Sequence, residues 1–198
     1  VKGVYDEGIA ANNKPGARIC SVSWTDMSGN LWLFGGYGLD SNGDDGYLND
    51  LWKYDVLTKT WSFVSGDKVY SVKGVYDDGI AANNKPGARY DSVSWTDMSG
   101  NLWLFGGVGL DSNGDNGCLN DLWKYDVLTK TWSFVSGDKV YSVKGVYDDG
   151  IAANNKPGAR ISSVSWTDIS GNLWLFGGYG FDSNGDLGYL NDLWKLEP

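Results

Sequence analysis

The chain consists of three copies of one segment. The string Val-Lys-Gly-Val-Tyr-Asp begins at Val1, Val72 and Val143, so the sequence repeats every 71 residues. The first two copies differ at only six positions, which indicates recent amplification or deliberate construction. A repeat of this length predicts one supersecondary unit per copy, and each unit must bury its apolar face against a neighbouring unit. The predicted units are residues 1–71, 72–142 and a truncated third, 143–198.

Each copy has the composition and the turn residues that are typical of short β-strands. Eleven Trp, twelve Tyr and 29 Gly with only four Pro are typical of an all-β protein, because aromatic residues suit pleated surfaces and glycine suits turns. Alternation and turn signals predict four strands in the first copy, Ser21–Thr25, Leu31–Phe34, Leu51–Tyr54 and Thr60–Val64. Gly35-Gly36 is predicted to end the second strand. Each copy is therefore expected to form a four-stranded antiparallel meander.

The order of these residues resembles the kelch repeat. The first copy carries Arg18, Gly35-Gly36, Tyr54 and Trp61. The second copy repeats this order with Arg89, Gly106-Gly107, Tyr125 and Trp132. The third copy has Arg160 and Gly177-Gly178 and departs from the pattern at Leu196. The resemblance implies a kelch-type β-propeller with three four-stranded blades per chain, the last blade lacking its fourth strand.

Three blades would leave two aromatic faces open to water. Propellers close with about four to eight blades, and open apolar faces of that size are rare on monomers. We therefore expect the chain to be its own partner, in a six-bladed homodimer joined head to tail.

Charge and composition exclude several functional classes. The formal charge of −9 offers no basic surface for nucleic acid or for an anionic membrane. We expect a soluble chain with neither a transmembrane segment nor a signal peptide, and the location of the protein is left open. It also contains no histidine. The kelch family includes a copper oxidase, but that chemistry needs histidine ligands, so neither an enzyme nor a resident cofactor is expected.

The differences between the copies cluster on one predicted face. If strands run alternately up and down, the inter-blade connection 66–88 and the loop 106–121 emerge together, and we call this side the long-loop face. Seven of the eight variable positions map to it. Met27 is the one variable position of the first copy that does not lie on the long-loop face. The eight positions are Glu7, Ile19, Cys20, Met27, Tyr37, Leu39, Asp45 and Tyr47. Tolerance of loops to change and a selected binding surface both explain this pattern.

Candidate ligand-binding tyrosines lie on the long-loop face. Tyr37, Tyr47, Tyr179 and Tyr189 could stack on sugar rings, with nearby Asp and Asn as hydrogen-bonding groups. Packing between loops is the alternative. The three arginines of the chain, Arg18, Arg89 and Arg160, head the first strand of each copy and would ring a central channel as an anion site. The alternative role is a structural fork that pairs with carboxylates or carbonyls.

An acidic motif in each copy resembles the start of a calcium loop. It comprises Asp40, Asn42 and Asp44, then Asp111, Asn113 and Asp115, then Asp182, Asn184 and Asp186. Alternating oxygen ligands favour calcium, whereas the late glycine and the missing twelfth-position glutamate favour plain turn chemistry. Cys20 and Cys118 occupy non-equivalent positions, and their role is left open.

The near-identity of the copies favours a non-enzymatic, self-assembling β-propeller scaffold, engineered or amplified, that completes its ring by homo-oligomerisation. A carbohydrate- or protein-binding module that uses the long-loop face is the alternative.

Overall fold

The computed structural model describes residues 1–5, 11–76, 82–147 and 154–196. Within these ranges the protein is all-β, with fourteen strands in three antiparallel sheets. Each sheet is built from one copy of the repeat, so the predicted all-β, blade-per-copy architecture is confirmed. None of the described residues forms a helix that is long and apolar enough to cross a membrane.

The three blades have the same strand order. Blade 1 contains β1 Arg18–Ile19, β2 Val22–Thr25, β3 Leu31–Leu39, β4 Asp45–Asp55 and β5 Thr60–Ser65. Blade 2 contains β6 Arg89–Tyr90, β7 Val93–Thr96, β8 Leu102–Leu110, β9 Asn116–Asp126 and β10 Thr131–Ser136. Blade 3 contains β11 Arg160–Ile161, β12 Val164–Thr167, β13 Leu173–Phe181 and β14 Leu187–Leu196. In blade 1, β3 pairs with β1 and β2 on one side and with β4 on the other, and β5 pairs with β4.

The central strands are longer than the sequence pattern predicted. Gly35-Gly36 does not end the second strand. The pair instead forms a bulge at which the β3–β4 register shifts, and both glycines have positive φ. In blade 2 the same extension reduces the predicted loop 106–121 to residues 111–115 between β8 and β9. The glycines are needed because the neighbouring backbone is close: a Cβ on Gly35 would lie 2.7 Å from the carbonyl oxygen of Arg89 in the next blade.

The core lies between blades rather than within them. Trp24, Phe34 and Leu51 of blade 1 pack with Leu102, Leu104 and Trp132 of blade 2 in one buried cluster. The equivalent residues of blade 2 pack with Leu173 and Leu175 of blade 3. Blades 1 and 2 therefore each bury one face against the following blade, as expected for stacked units that cannot bury their apolar surface alone.

The short strands β2, β7 and β12 lie side by side and are joined by hydrogen bonds. The Ser94 hydroxyl donates to the Ser23 carbonyl at 3.2 Å, and the Ser165 hydroxyl donates to the Ser94 carbonyl at 3.2 Å. The indole of Trp24 donates across the same junction to the Trp103 carbonyl at 3.0 Å. Together these strands line an open groove of about 310 Å³ with Ser, Trp and Thr residues.

Candidate functional site

The variable positions form a continuous row across each blade. In blade 1, Ile19 pairs with Tyr37 across β1–β3, and Tyr37 pairs with Tyr47 across β3–β4. The next row of the same sheet pairs Leu39 with Asp45. The equivalent rows are Tyr90, Val108 and Cys118 in blade 2, and Ile161, Tyr179 and Tyr189 in blade 3. Residues that are scattered along the sequence thus share one edge of the stack.

Three tyrosines meet where the rows of blades 1 and 2 adjoin. The ring centroids of Tyr37 and Tyr47 are 5.8 Å apart, and that of Tyr90 is 5.4 Å from Tyr47 and 6.4 Å from Tyr37. We call Tyr37, Tyr47 and Tyr90 the tyrosine cluster. Its rings adopt the edge-on and tilted arrangements that aromatic pairs prefer. Because Tyr37 remains exposed, the cluster presents aromatic surface to solvent.

Polar groups surround the tyrosine cluster. The Tyr37 hydroxyl donates to Asp45 Oδ2 at 2.6 Å, and the Asn116 amide donates to the Tyr47 hydroxyl at 3.1 Å. The hydrogen bond to Asp45, followed by the charge of that carboxylate, raises the pKa of Tyr37. Burial, followed by the proximity of Tyr47, raises the pKa of Tyr90. With pKa values raised above the ordinary tyrosine value, Tyr37 and Tyr90 keep their phenol protons at neutral pH and can donate hydrogen bonds.

The two cysteines lie beside the same cluster. Cys20 is exposed and Cys118 is half-buried, and both are free thiols close enough to Tyr90 to affect its ionisation. Burial raises the pKa of the Cys118 thiol, so this group is less reactive than an ordinary exposed cysteine.

The blade 3 tyrosines form a pair without a third ring. Tyr179 and Tyr189 are cross-strand partners with centroids 5.3 Å apart. They line an open cavity of about 570 Å³ together with Ser162, Gly178 and Leu190. Among the described residues no third tyrosine joins them, because Tyr90 belongs to the blade that follows Tyr37 and Tyr47, and no blade follows blade 3 within the described part of the chain.

The arginines are held inside their own blades. The Arg89 guanidinium forms a bidentate pair with Asp121 at 2.5 and 2.7 Å, and its other hydrogen bonds go to the carbonyls of Gly87 and Gly106 and to the Tyr76 hydroxyl. All five N–H groups of Arg89 thus donate hydrogen bonds to acceptors within the protein. Arg18 and Arg160 pair in the same way with Asp50 and Asp192. This geometry is that of a structural fork, with no ring of free guanidinium groups around the axis.

The acidic loops use their oxygens to fold the chain. Asp40 Oδ1 accepts the backbone N–H groups of Asn42, Gly43 and Asp44 at 2.7 to 3.1 Å. Asp111 does the same for Asn113, Gly114 and Asp115, and Asp182 for Asn184, Gly185 and Asp186. Such aspartate-capped turns need no cation. The described parts of the chain contain no group of three or more acidic or sulfur ligands positioned for a metal ion.

Of the five residues that form this site, only Tyr37 and Tyr47 were predicted from the sequence to bind a ligand. Tyr90, Asp45 and Asn116 were recognised as variable positions, but none was predicted to bind a ligand, and only the packing of adjacent blades brings them to Tyr37 and Tyr47. Variation between copies was the signal that could have found them. Of the remaining variable positions, Met27 lies in the opposite turn, and Glu7 lies outside the described residues.

Comparison with known proteins supports the fold. Residues 98–138 match the family model described as Kelch motif. The solved structure of YjhT superimposes with a TM-score of 0.57 at 18% identity, and the match covers 96% of this chain and 54% of YjhT. The sequence motif and the fold together define kelch-type β-propeller blades, so the predicted resemblance is confirmed.

Among curated proteins the chain is similar to an enzyme. N-acetylneuraminate epimerase of Escherichia coli O9:H4 (strain HS) is 27% identical to it, over 74% of this chain and 45% of the epimerase. The same enzyme of Escherichia coli (strain K12) is 26% identical over the same shares. The chain thus spans about half the length of the curated relatives it matches.

This similarity overturns the functional prediction from sequence. A non-enzymatic self-assembling scaffold was favoured because the copies are nearly identical and no histidine is present, with a plain binding module as the alternative. Both predictions are contradicted by these relatives, which are named as an enzyme. The absence of histidine does not by itself exclude an enzyme, because carboxylates and phenols also transfer protons.

Proposed function

We propose that the chain binds a sugar of the N-acetylneuraminate class at the tyrosine cluster and promotes its epimerisation there. The observation that carries the proposal is the tyrosine cluster itself, an exposed aromatic surface edged by a carboxylate, an amide and hydroxyl groups. Sugar rings stack on aromatic faces through their C–H surfaces, and their hydroxyls bond to such polar neighbours. The similarity to N-acetylneuraminate epimerases supports the choice of sugar.

The Tyr37–Asp45 pair suits proton transfer. A sugar inverts its anomeric carbon by opening and re-closing its ring, for which a base removes the proton of the anomeric hydroxyl and an acid returns one to the ring oxygen. Asp45 is the base in this scheme and Tyr37 is the acid. Their 2.6 Å hydrogen bond keeps the two groups adjacent, and the raised pKa of Tyr37 keeps its proton in place at neutral pH.

A lysine beside the loop that leads to Asn116 suits the carboxylate of the sugar. The arginines are committed to internal pairs, and the chain is strongly acidic overall, so an anionic sugar needs another cation. A Cβ on Gly114 would lie 3.7 Å from the Cβ of Lys73, and the loop containing Gly114 leads directly to Asn116. Lys73 is therefore the cation assigned to the sugar carboxylate.

The test is the rate at which the epimers of N-acetylneuraminate interconvert, followed by proton NMR with and without the protein. We expect acceleration in proportion to protein concentration. Asp45→Asn, which reproduces the residue that blade 2 carries as Asn116, should remove most of it, since general acid–base groups contribute about 100-fold or more. Tyr37→Phe should do the same, whereas Tyr179→Phe in blade 3 is the matched control. No acceleration, or full activity in both variants, would overturn the proposal.

The role of Lys73 has a matched control in the repeat. Lys73→Gln should weaken binding of N-acetylneuraminate and leave binding of neutral N-acetylmannosamine unchanged, as measured by saturation-transfer NMR. Lys144→Gln, the equivalent change in blade 3, should affect neither sugar. Equal effects of the two variants would contradict the assignment.

A further inference from the structure

Another groove lies at the internal junction of blades 1 and 2. One wall is a cross-strand row of blade 1, in which Trp32 pairs with Lys53 and Lys53 pairs with Ser62. The opposite wall contains Val127 and Lys130 from the turn between β9 and β10 of blade 2. We call this space the junction groove. Its volume of about 340 Å³ is that of a small-molecule site.

The interior of the junction groove is apolar and narrow. Val64 of blade 1 and Val127 of blade 2 are only partly buried and pack against the core between the two blades, so both present apolar surface to the groove. Because the walls belong to two sheets that face one another, the space between them is a slot. A planar ring fits a slot better than a bulky branched group does.

Two lysines supply positive charge at the junction groove. The Lys53 ammonium lies 5.6 Å from the ring centroid of Trp32, and Lys130 is exposed on the opposite wall. Within the described part of the chain, neither lysine forms an ion pair. Two carboxylates of the neighbouring turns, Asp55 and Asp126, accept backbone N–H groups of their own turns. Two uncommitted cations on one groove favour an anionic ligand, in a chain whose formal charge is −9.

The buried part of the same junction contains hydrogen-bond donors without acceptors. Tyr125 and Trp132 are cross-strand neighbours that are buried in the core between the two blades. Tyr125 packs on Trp32 of the groove wall, with ring centroids 5.8 Å apart. Among the described residues, neither the Tyr125 hydroxyl nor the Trp132 indole N–H has a hydrogen-bond partner. Unpaired buried donors are costly, so this junction favours a ligand that brings acceptors.

We propose that the junction groove binds an aromatic carboxylate. The ring lies between Val64 and Val127, and the carboxylate lies between Lys53 and Lys130. Charge complementarity carries the assignment, because the groove combines an apolar slot with two cations that have no carboxylate partner. The site shares no residue with the tyrosine cluster, so the two proposals can fail separately.

The test is a two-dimensional NMR titration with indole-3-acetate and with its neutral analogue, indole-3-acetamide. We expect indole-3-acetate to shift the amide signals of Val64, Val127 and Lys130. It should bind about fivefold more tightly than the amide and lose this advantage at high salt, because the difference is electrostatic. Octanoate, which carries the same charge on a flexible chain, should bind more weakly. No saturable shifts, equal affinities of acid and amide, or tighter binding of octanoate would overturn the proposal.

The repeat provides a matched control for the lysines. Lys53→Gln and Lys130→Gln should each weaken indole-3-acetate binding about two- to fivefold and leave indole-3-acetamide binding unchanged. Lys53→Arg keeps the charge and should restore the affinity. Lys59→Gln is the control, because Lys59 occupies the equivalent turn position in blade 1, with φ of 57° against 59° for Lys130, and lies outside the groove. An equal loss in Lys59→Gln, or an equal loss of amide binding in Lys53→Gln, would contradict the assigned roles.

Discussion

Tyr90 converts a repeated pair of tyrosines into a cluster of three. Positions 19 and 161 of the other copies carry isoleucine, so the third ring exists only at the junction of blades 1 and 2. One substitution between copies thus creates a surface that the repeat itself does not have. The site is therefore a property of individual residues placed on a uniform scaffold.

Replacing Tyr90 with Ile should weaken sugar binding without unfolding the protein, because two other blades carry isoleucine at this position. The loss of one aromatic contact is worth about 0.5–1.5 kcal/mol, which corresponds to roughly a two- to tenfold weaker affinity for N-acetylneuraminate. Titration calorimetry measures the change. Tyr189→Cys, which gives blade 3 the residue of blade 2, is the control. An unchanged affinity of Tyr90→Ile for N-acetylneuraminate would contradict the proposal that the sugar binds at the tyrosine cluster.

The buried fork at Arg89 sets the stability of blade 2. Arg89 and Asp121 are both fully buried, so Arg89→Met leaves an unpaired carboxylate in the core and should cost about 3–5 kcal/mol. Lys85→Met, which breaks a partly exposed pair with Asp67, should cost at most about 1 kcal/mol. Urea denaturation compares the two. Equal losses would contradict the structural role assigned to the arginine.

At the scale of elements, the sequence predicted the strands but not their lengths or their neighbours. Aromatic alternation located β2 to β5 and their equivalents, because side chains on a pleated strand must alternate between two faces, but it did not predict the two-residue strands β1, β6 and β11. The Gly-Gly pair was predicted to end the strand, since a glycine pair is typical both of a β-bulge and of the end of a strand. Its actual role depends on the Arg89 carbonyl of another blade, and a contact between copies is absent from the pattern of one copy. The contact of Tyr90 with Tyr37 and Tyr47 was missed for the same reason.

The β2–β3 turns should make stability depend on pH. Burial alone would raise the pKa of Asp26, but hydrogen bonds from the Trp32 indole and from Asn30 outweigh it, so the pKa lies below its usual value. The hydrogen bonds from Asn172 and Trp174 lower the pKa of Asp168 in the same way. A carboxylate with a lowered folded pKa stabilises the protein fully above the unfolded value of 3.8 and loses that contribution as the pH falls below it.

Thermal melting between pH 7 and pH 2 checks this expectation. The melting temperature should stay level down to about pH 5 and then fall. Asp168→Asn should melt lower than the wild type at pH 7 and approach it in acid. A melting temperature that rises on acidification would contradict the assigned direction.

Calcium should not change the stability of the acidic loops. Asp40 is fully buried, and its carboxylate already accepts several backbone N–H groups. A bound cation would have to compete with the turn that these bonds hold. We expect the same melting temperature in calcium and in chelator. A melting temperature that rises with calcium concentration would instead support calcium binding by these loops.

At the scale of the whole molecule, stacking explains both the core and the position of the site. Each blade buries one face on the next, so the long-loop face is an edge at which rows from adjacent blades meet. The proposed function follows from this arrangement, because only the packing of blade 2 on blade 1 brings Tyr90 to Tyr37 and Tyr47.

The most direct test of the account is two-dimensional NMR of isotope-labelled protein titrated with N-acetylneuraminate. We predict that the amide signals that shift belong to Tyr37, Asp45, Tyr47 and Tyr90 and their immediate neighbours. The turn from Asp26 to Asn30 on the opposite side should be unaffected. Shifts confined to that turn, or no shifts at millimolar sugar, would contradict the claim that the tyrosine cluster is the functional site.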